Sequence, residues 1–259
     1  MKIVVCVKQV PDTEAEKRLL PDTLTVDRES SKPVLNEMEE YAIEEALKLA
    51  EAHGGEVTVL TMGPDGADAA VRKALSMGAD SGILLTDPAL AGSDAVATSY
   101  GLAQALGTTE FDLVILGSEA SDARTSLVPA MLAERLGLPQ LTFASKVEID
   151  GTAITVNRLT DYGHDIVSAQ LPAVVSVVEK INEPRYPSFK GIMAAKKKPI
   201  ANLDAAAAGI DAAKVGTAGA WTAVADAAQR PPRSAGVKVS DEGDGGVKLA
   251  EFLSAQKFI

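Results

Sequence analysis

Short runs of β-branched and aliphatic residues recur along the first two-thirds of the chain, each followed by an amphipathic stretch of helical period. That alternation constrains the fold more than any other feature, because it is the pattern of a parallel sheet joined by crossover helices. Strands are expected at 2–7, 56–62, 81–86 and 112–116, all nearly unbroken apolar runs, as in a sheet covered on both faces. The first helix is expected to start at Asn36 as cap, with Glu37, Glu39 and Glu40 in its opening turns, where the helix dipole favours negative charge. Met38, Ala42, Ile43, Ala46, Leu47 and Ala50 form its apolar stripe, and Gly54-Gly55 ends it. Further helices are expected near 66–77, after Ser93 or Asp94, and from about Thr125 to Leu136, stopping at Gly137 and Pro139.

After residue 140 the character changes. Two runs, 142–149 and 153–159, flank Asp150-Gly151 and read as a β-hairpin; 173–178 is another apolar strand. Beyond Asn182 regular structure is expected to give out until a short amphipathic helix at 247–258. The expectation is therefore an α/β fold: an open, mostly parallel, Rossmann-like sheet with flanking helices. Residues 1–182 would form this domain, and 183–259 a segment that begins as a loop and continues as an extended C-terminal arm. Such a stretch, roughly seventy residues with little core of its own, is either a disordered tail or an arm that embraces a partner. Its repeated apolar punctuation (Ile210, Val215, Trp221, Val224, Val237, Val239) favours the arm.

Charge and residue counts exclude several functions. Lys+Arg is 25 against Asp+Glu 36, a net charge of −11, which disfavours nucleic acid or an anionic membrane as partner. A single cysteine, Cys6, excludes an internal disulfide, and with only His53 and His164 beside it no zinc site is expected. The apolar run after Met1 is too short for a signal peptide or membrane span, so a soluble cytoplasmic or organelle-matrix protein is expected.

No catalytic constellation is visible: the nucleophile elbow, the phosphate loop ending in Lys-Ser/Thr and Gly-x-Gly-x-x-Gly are all missing. Cys6 reads as inert strand packing, and His164 as a surface histidine in a turn. The chain does offer a nucleotide-sized crevice beyond the carboxyl ends of its strands. There the loop after the fourth strand delivers Arg124, Thr125 and Ser126 to a helix start, whose free N–H groups can hold a phosphate. Plain capping by Asp122 or Thr125 accounts for the same residues. A second feature is the segment 181–199, where Phe189, Ile192 and Met193 lie among prolines, Arg185, Lys190 and Lys196-Lys197-Lys198. A basic segment with an apolar centre suits docking, with charge steering the encounter; an ordinary solvated lysine run over core aromatics fits equally.

Five collinear blocks carry a resemblance. These are Val5-Cys6-Val7-Lys8-Gln9-Val10-Pro11-Asp12-Thr13, Ala74-Leu75-Ser76-Met77-Gly78-Ala79-Asp80, the loop after Gly117, Leu171-Pro172-Ala173-Val174-Val175, and Asn182-Glu183-Pro184-Arg185-Tyr186 through Lys198. Along essentially its whole length the chain resembles the beta subunit of electron-transfer flavoprotein. The resemblance implies a heterodimer with an alpha subunit that holds most of the FAD. It collects electrons from flavin dehydrogenases, typically acyl-CoA dehydrogenases of fatty acid oxidation, and passes them to a membrane quinone oxidoreductase. It also implies an adenine-nucleotide-binding sheet, with a redox-silent AMP buried in this subunit, which is an electron carrier without catalytic residues of its own. By position, AMP would be held by Cys6, Lys8, Asn36, Met62, Ala120, Asp122, Arg124, Thr125, Ser126, Leu127 and Val128, with Thr13 and Met38 approaching the flavin. The recognition loop would comprise Tyr186, Phe189, Ile192, Met193, Lys196, Lys197 and Lys198, with Phe189 in the place of the usual leucine anchor. Two departures stand out: Asp122-Ala123-Arg124-Thr125 replaces an Asp-Gly-Asp-Thr-type loop, and Tyr162-Gly163-His164-Asp165 replaces an acidic and glycine pattern. Two other readings are open. One is an electron-bifurcating relative, with a second FAD in this crevice and NADH as donor. The other is a stand-alone nucleotide-sensing module.

Overall fold

The computed structural model describes residues 1–233 and 235–259. The elements follow the alternation. Strand β1 (Lys2–Val7) leads through a two-stranded ribbon, β2 (Gln9–Pro11) and β3 (Pro33–Leu35), into α1 (Glu37–His53). Then come β4 (Glu56–Met62), α2 (Asp68–Met77), β5 (Ser81–Leu85), α3 (Ala95–Leu106), β6 (Leu113–Gly117) and α4 (Val128–Leu136). An antiparallel meander β7 (Gln140–Asp150), β8 (Ala153–Thr160) and β9 (Gly163–Gln170) precedes β10 (Ala173–Val177). The chain continues as α5 (Phe189–Ala195), β11 (Ile200–Leu203), α6 (Gly216–Gly219) and α7 (Gly245–Ala255).

The main sheet has nine strands in the order β11-β5-β4-β1-β6-β10-β7-β8-β9. All pairs from β11 to β7 are parallel, and only β7–β8 and β8–β9 are antiparallel. From β1 the chain winds outward through β4 and β5, then returns to place β6 on the other side of β1. Connections therefore diverge between β1 and β6, the point in an open α/β sheet where a ligand crevice forms.

Strand alternation sorts side chains into two cores. Ile3, Val5, Val57, Val59 and Ile115 pack under α1 and α2, together with Ala195 of α5. Val4, Cys6, Leu60, Val114 and Leu116 pack under α3 and α4. At the carboxyl end of β6 the backbone and α1 nearly touch: a Cβ on Gly117 would lie 2.7 Å from Met38 Cβ. Only glycine permits that approach, and it fixes where α1 begins over the sheet.

Several sequence expectations need correction. The start of α4 falls at Val128, not Thr125, because Arg124 and Ser126 adopt left-handed φ of 49° and 52°, which an α-helix excludes. The hairpin gains a third strand, β9, whose inward residues are the short series Val167 and Ala169, opposite Val156 and Ile154. His164 therefore begins a strand instead of sitting in a turn. Regular structure does not give out after Asn182: α5 packs on the helical layer, β11 extends the sheet beside β5, and Ala205, Ala208, Ile210 and Val215 fill the second core. Ile210 and Val215, read as partner anchors, are thus this chain's own interior. One compact unit runs Met1–Ala225, and residues Asp226–Ile259 form a second. In the latter, α7 carries Val247, Leu249 and Phe252 exposed. Gly117→Ala should destabilise the protein by about 1–3 kcal/mol, because the added methyl must push α1 off β6; an unshifted urea midpoint would contradict that packing.

Candidate functional site

The crevice is built where β1, β6 and α1 meet. Lys8, just past β1, places its ammonium 2.9 Å from both oxygens of Asp122, which follows β6. Arg28 reaches the same carboxylate at 2.7 Å, from the excursion between β2 and β3. The Asp122 side chain has no exposed surface. Burial works against its charge, but the Lys8 ammonium and the Arg28 guanidinium outweigh that and hold its carboxyl below the usual range. Asp122, the aspartate this loop shares with the resembled pattern, is thus paired with two cations.

Asn36 is the second knot. It was expected to cap α1, yet it makes no side-chain capping bond. Its amide donates instead to the Glu39 carboxylate and to Glu119 O at 3.0 Å, and its Oδ1 accepts from Ser121 N at 2.9 Å. One buried amide thereby ties the start of α1 to the loop after β6. Glu39 is buried, and burial pushes its carboxyl up to about 8 against the pull of Asn36 and Lys8. Burial likewise drives the Cys6 thiol up to about 12, with the Glu39 charge adding to it, so Cys6 is inert packing as expected.

Of the predicted nucleotide residues, hydrogen bonds bring together Lys8, Asp122 and Asn36, and Asn36 grips the backbone on either side of Ala120. Ala120 O in turn accepts from Arg124 N at 2.9 Å, closing the turn that leads to the rim. Arg124, Thr125 and Leu127 on that rim are exposed, Ser126 and Val128 half-buried. The α4 N-terminus carries no side-chain cap, so neither Asp122 nor Thr125 serves as one. Ser121 Oγ is buried without a hydrogen-bond partner. Met62 sits at the end of β4 against α3, its Sδ 3.0 Å from where a Gly101 Cβ would be. Thr13 and Met38 are not brought together: the β2–β3 ribbon pairs Gln9 with Leu35 and Pro11 with Pro33, which places them at its opposite ends. Sequence reasoning missed Arg28 and Lys17, whose Nζ donates to Ser121 O at 2.9 Å; both lie about a hundred residues away in sequence, in a stretch with no periodic signal. Glu39 was visible in the Asn36-x-x-Glu39 spacing of a capping box, but was read only as a dipole charge.

The segment 182–198 lies across α1 and α2. Asn182 donates to Tyr41 O at 3.1 Å and to Glu45 at 3.0 Å. Arg185 pairs with Glu44 at 2.7 Å and Glu51 at 2.6 Å, and its hydrogen bond holds the Glu51 carboxyl low. Between these anchors and the body, Tyr186 and Phe189 stand 94% and 81% exposed, with Ile192 and Met193 also exposed beside them. Lys196 and Lys197 face solvent, whereas Lys198 turns inward, its Nζ donating to Leu75, Gly78 and Ala79 carbonyls at 3.2, 3.0 and 2.5 Å. A cleft of about 180 Å³ opens beside Tyr186, lined by Glu37, Glu40, Tyr41, Lys73 and Arg185 among others. Among the described residues no cluster of His, Cys, Asp and Glu is arranged to hold a metal, and no helix is long and apolar enough to cross a membrane.

Comparison with known proteins bears on this arrangement. A family model described as the electron transfer flavoprotein domain matches residues 23–208. An electron transfer flavoprotein subunit beta of Mycobacterium tuberculosis is 51% identical over 263 residues, covering 99% of each chain. Another with that description, from Megasphaera elsdenii, is 40% identical and covers both chains in full. Protein FixA of Sinorhizobium fredii is 41% identical over 86% of this chain and 81% of its own.

The buried Glu39 gives a pH test. Its folded pKa, about 8, lies above the unfolded 4.5, so the folded state holds an extra proton between those values and stability falls as pH rises through that window. Glu39→Gln should therefore gain on the wild type between about pH 5 and about pH 9, by on the order of a few kcal/mol. Urea titrations showing a difference independent of pH would rule this out.

Proposed function

The chain belongs to the electron transfer flavoprotein family, as a relative of its beta subunits, and on that premise we propose that it is the non-catalytic half of a heterodimeric electron carrier. Its partner would be an alpha subunit holding most of the FAD. Donors would be flavin dehydrogenases such as the acyl-CoA dehydrogenases, the acceptor a membrane quinone oxidoreductase, and the setting the cytoplasm or, in a eukaryote, the mitochondrial matrix. Within residues 183–259, the stretch 186–198 would then act as recognition loop, and the exposed Trp221, Val224 and apolar residues of α7 would be the parts available to wrap the alpha subunit.

The crevice suits AMP. Ser121 Oγ is buried and unpartnered, and the α4 N-terminus is uncapped beside the left-handed turns of Arg124 and Ser126; an adenylate would satisfy both the hydroxyl and the helix start. Arg124, Thr125, Ser126 and the Val128 amide would hold the phosphate, with Leu127 on the rim. Cys6, Lys8, Asn36, Met62, Ala120 and Asp122 would form the floor and walls. AMP would supply no redox chemistry there; it would join the loop after β6 to α4. The flavin supplies the electron chemistry when bound. Met38, in the first turn of α1, belongs to the crevice side of the ribbon, and Thr13 would meet the flavin only from the far end.

The observation that carries the reading is the exposed apolar set Tyr186, Phe189, Ile192 and Met193 on a segment anchored at both ends, with Lys190, Lys196 and Lys197 around it. An apolar anchor in a charged rim is how a transient partner is steered and then held. In the heterodimer, Phe189→Ala should lower kcat/KM for reduction by a flavin dehydrogenase about tenfold or more with flavin content unchanged; an unaltered rate would overturn the docking assignment. Acid release followed by mass spectrometry should yield AMP and one flavin per heterodimer. Two flavins would put a second FAD in this crevice and point to NADH as donor. A crevice that releases no nucleotide would refute the assignment.

A further inference from the structure

Neither α2 nor α5 carries a basic residue in its own last turn. Each receives one from the other partner, α5 from within α2 and α2 from the turn just past α5. Arg72, on α2, donates through Nη1 to Ala195 O, the last carbonyl of α5, at 2.8 Å and to Lys198 O, in the turn after it, at 2.9 Å. Lys198, just past α5, donates through Nζ to Leu75 O in the last turn of α2, to Gly78 O at its C-cap and, most closely, to Ala79 O just beyond. A cation from each side thus sits at the C-terminal end of the other helix. Each cation meets the negative end of a helix dipole and carbonyls that have no partner within the helix. Between them the backbones come close: a Cβ on Gly191 would stand 2.6 Å from Ser76 O. The Ser188 hydroxyl accepts from Gly191 N at 3.0 Å and sets the start of α5.

We propose that Arg72 is a positioning residue for electron transfer: with Lys198 it locks α5 onto α2, so that Phe189, Ile192 and Met193 are presented in one arrangement before any partner arrives. This rests on the reading that the segment docks dehydrogenases. The Arg185 and Asn182 contacts hold the entry of the segment on α1, and these two cations hold its exit on α2. A seven-residue helix does not persist alone in water, so without the exit clamp its order would have to be formed on binding. Ordering several side chains at the moment of docking weakens affinity while leaving the assembled complex unchanged. The signature is a higher KM for the dehydrogenase with kcat preserved.

The test uses the flavin-loaded heterodimer. Arg72→Met keeps the stem but removes the donors, and should raise KM for an acyl-CoA dehydrogenase about tenfold with kcat and flavin content within about twofold of wild type. Arg72→Lys, which restores a donor, should recover most of the loss, and Lys198→Met should reproduce it. Tryptic cleavage after Lys190, Lys196 and Lys197 should quicken about tenfold in Arg72→Met, reporting the freed segment directly. A KM for Arg72→Met within about twofold of wild type, while Phe189→Ala is impaired, sinks the positioning role and leaves docking intact. If Phe189→Ala is also silent, the docking reading itself has failed. Loss of flavin in Arg72→Met and Lys198→Met alike would make the pair a general folding device and overturn the proposal.

Discussion

Helix α1 lies on the sheet with three carboxylates in its buried face, Glu39, Glu44 and Glu45, and the rest of the molecule is arranged to answer them. A buried carboxylate without partners is costly enough that it either finds hydrogen-bond donors or takes up a proton. Glu44 is met by Arg185, and Glu45 by Asn182 and Lys48. Glu39 has the Asn36 amide and a pKa raised by burial. Because those partners come from different parts of the chain, one helix face fixes both the crevice at its N-terminus and the segment that crosses its middle.

The two functional regions are accordingly held in different ways. The crevice is a charged knot: one buried carboxylate, Asp122, draws Lys8 from the end of β1 and Arg28 from the long excursion, while Asn36 staples the loop after β6 to α1. The segment 182–198 is an apolar display on a polar frame. Tyr186, Phe189, Ile192 and Met193 are exposed, and the side-chain hydrogen bonds that anchor it run to α1, α2 and the turn after α2. An exposed apolar cluster is sticky in solution, so rigid mounting limits it to partners of complementary shape.

Much of this was legible before any fold was seen, for reasons that differ by element. β1, β4, β5, β6 and β10 are continuous apolar runs, and α1 ends at its Gly54-Gly55 signal, because residues buried on both faces must be apolar whatever their neighbours. β9 and β11 were not legible. Val167 and Ala169 are too few to mark a period, and β11 is a strand only because β5 offers it an edge. The start of α4 was misplaced since nothing in Thr125-Ser126-Leu127 announces left-handed backbone. In the candidate crevice, the loops at the strand ends are legible from the alternation and the resemblance, but Arg28 and Lys17 are not, because their contacts depend on an irregular excursion folding back.

By itself, then, the amino-acid order determined the layered α/β class, the positions of the inner strands and the basic, apolar segment near residue 190. Those are properties of composition and period, which act within a few residues of chain. Tertiary structure alone decided which charges meet: that Asp122 is neutralised by Lys8 and Arg28, that Asn36 staples a loop instead of capping its helix, and that Lys198 turns inward to α2 while Lys196 and Lys197 face water. The reason is that an ionic or hydrogen-bonded pairing costs the chain nothing in local pattern. It is written only in the distance between atoms that folding brings together.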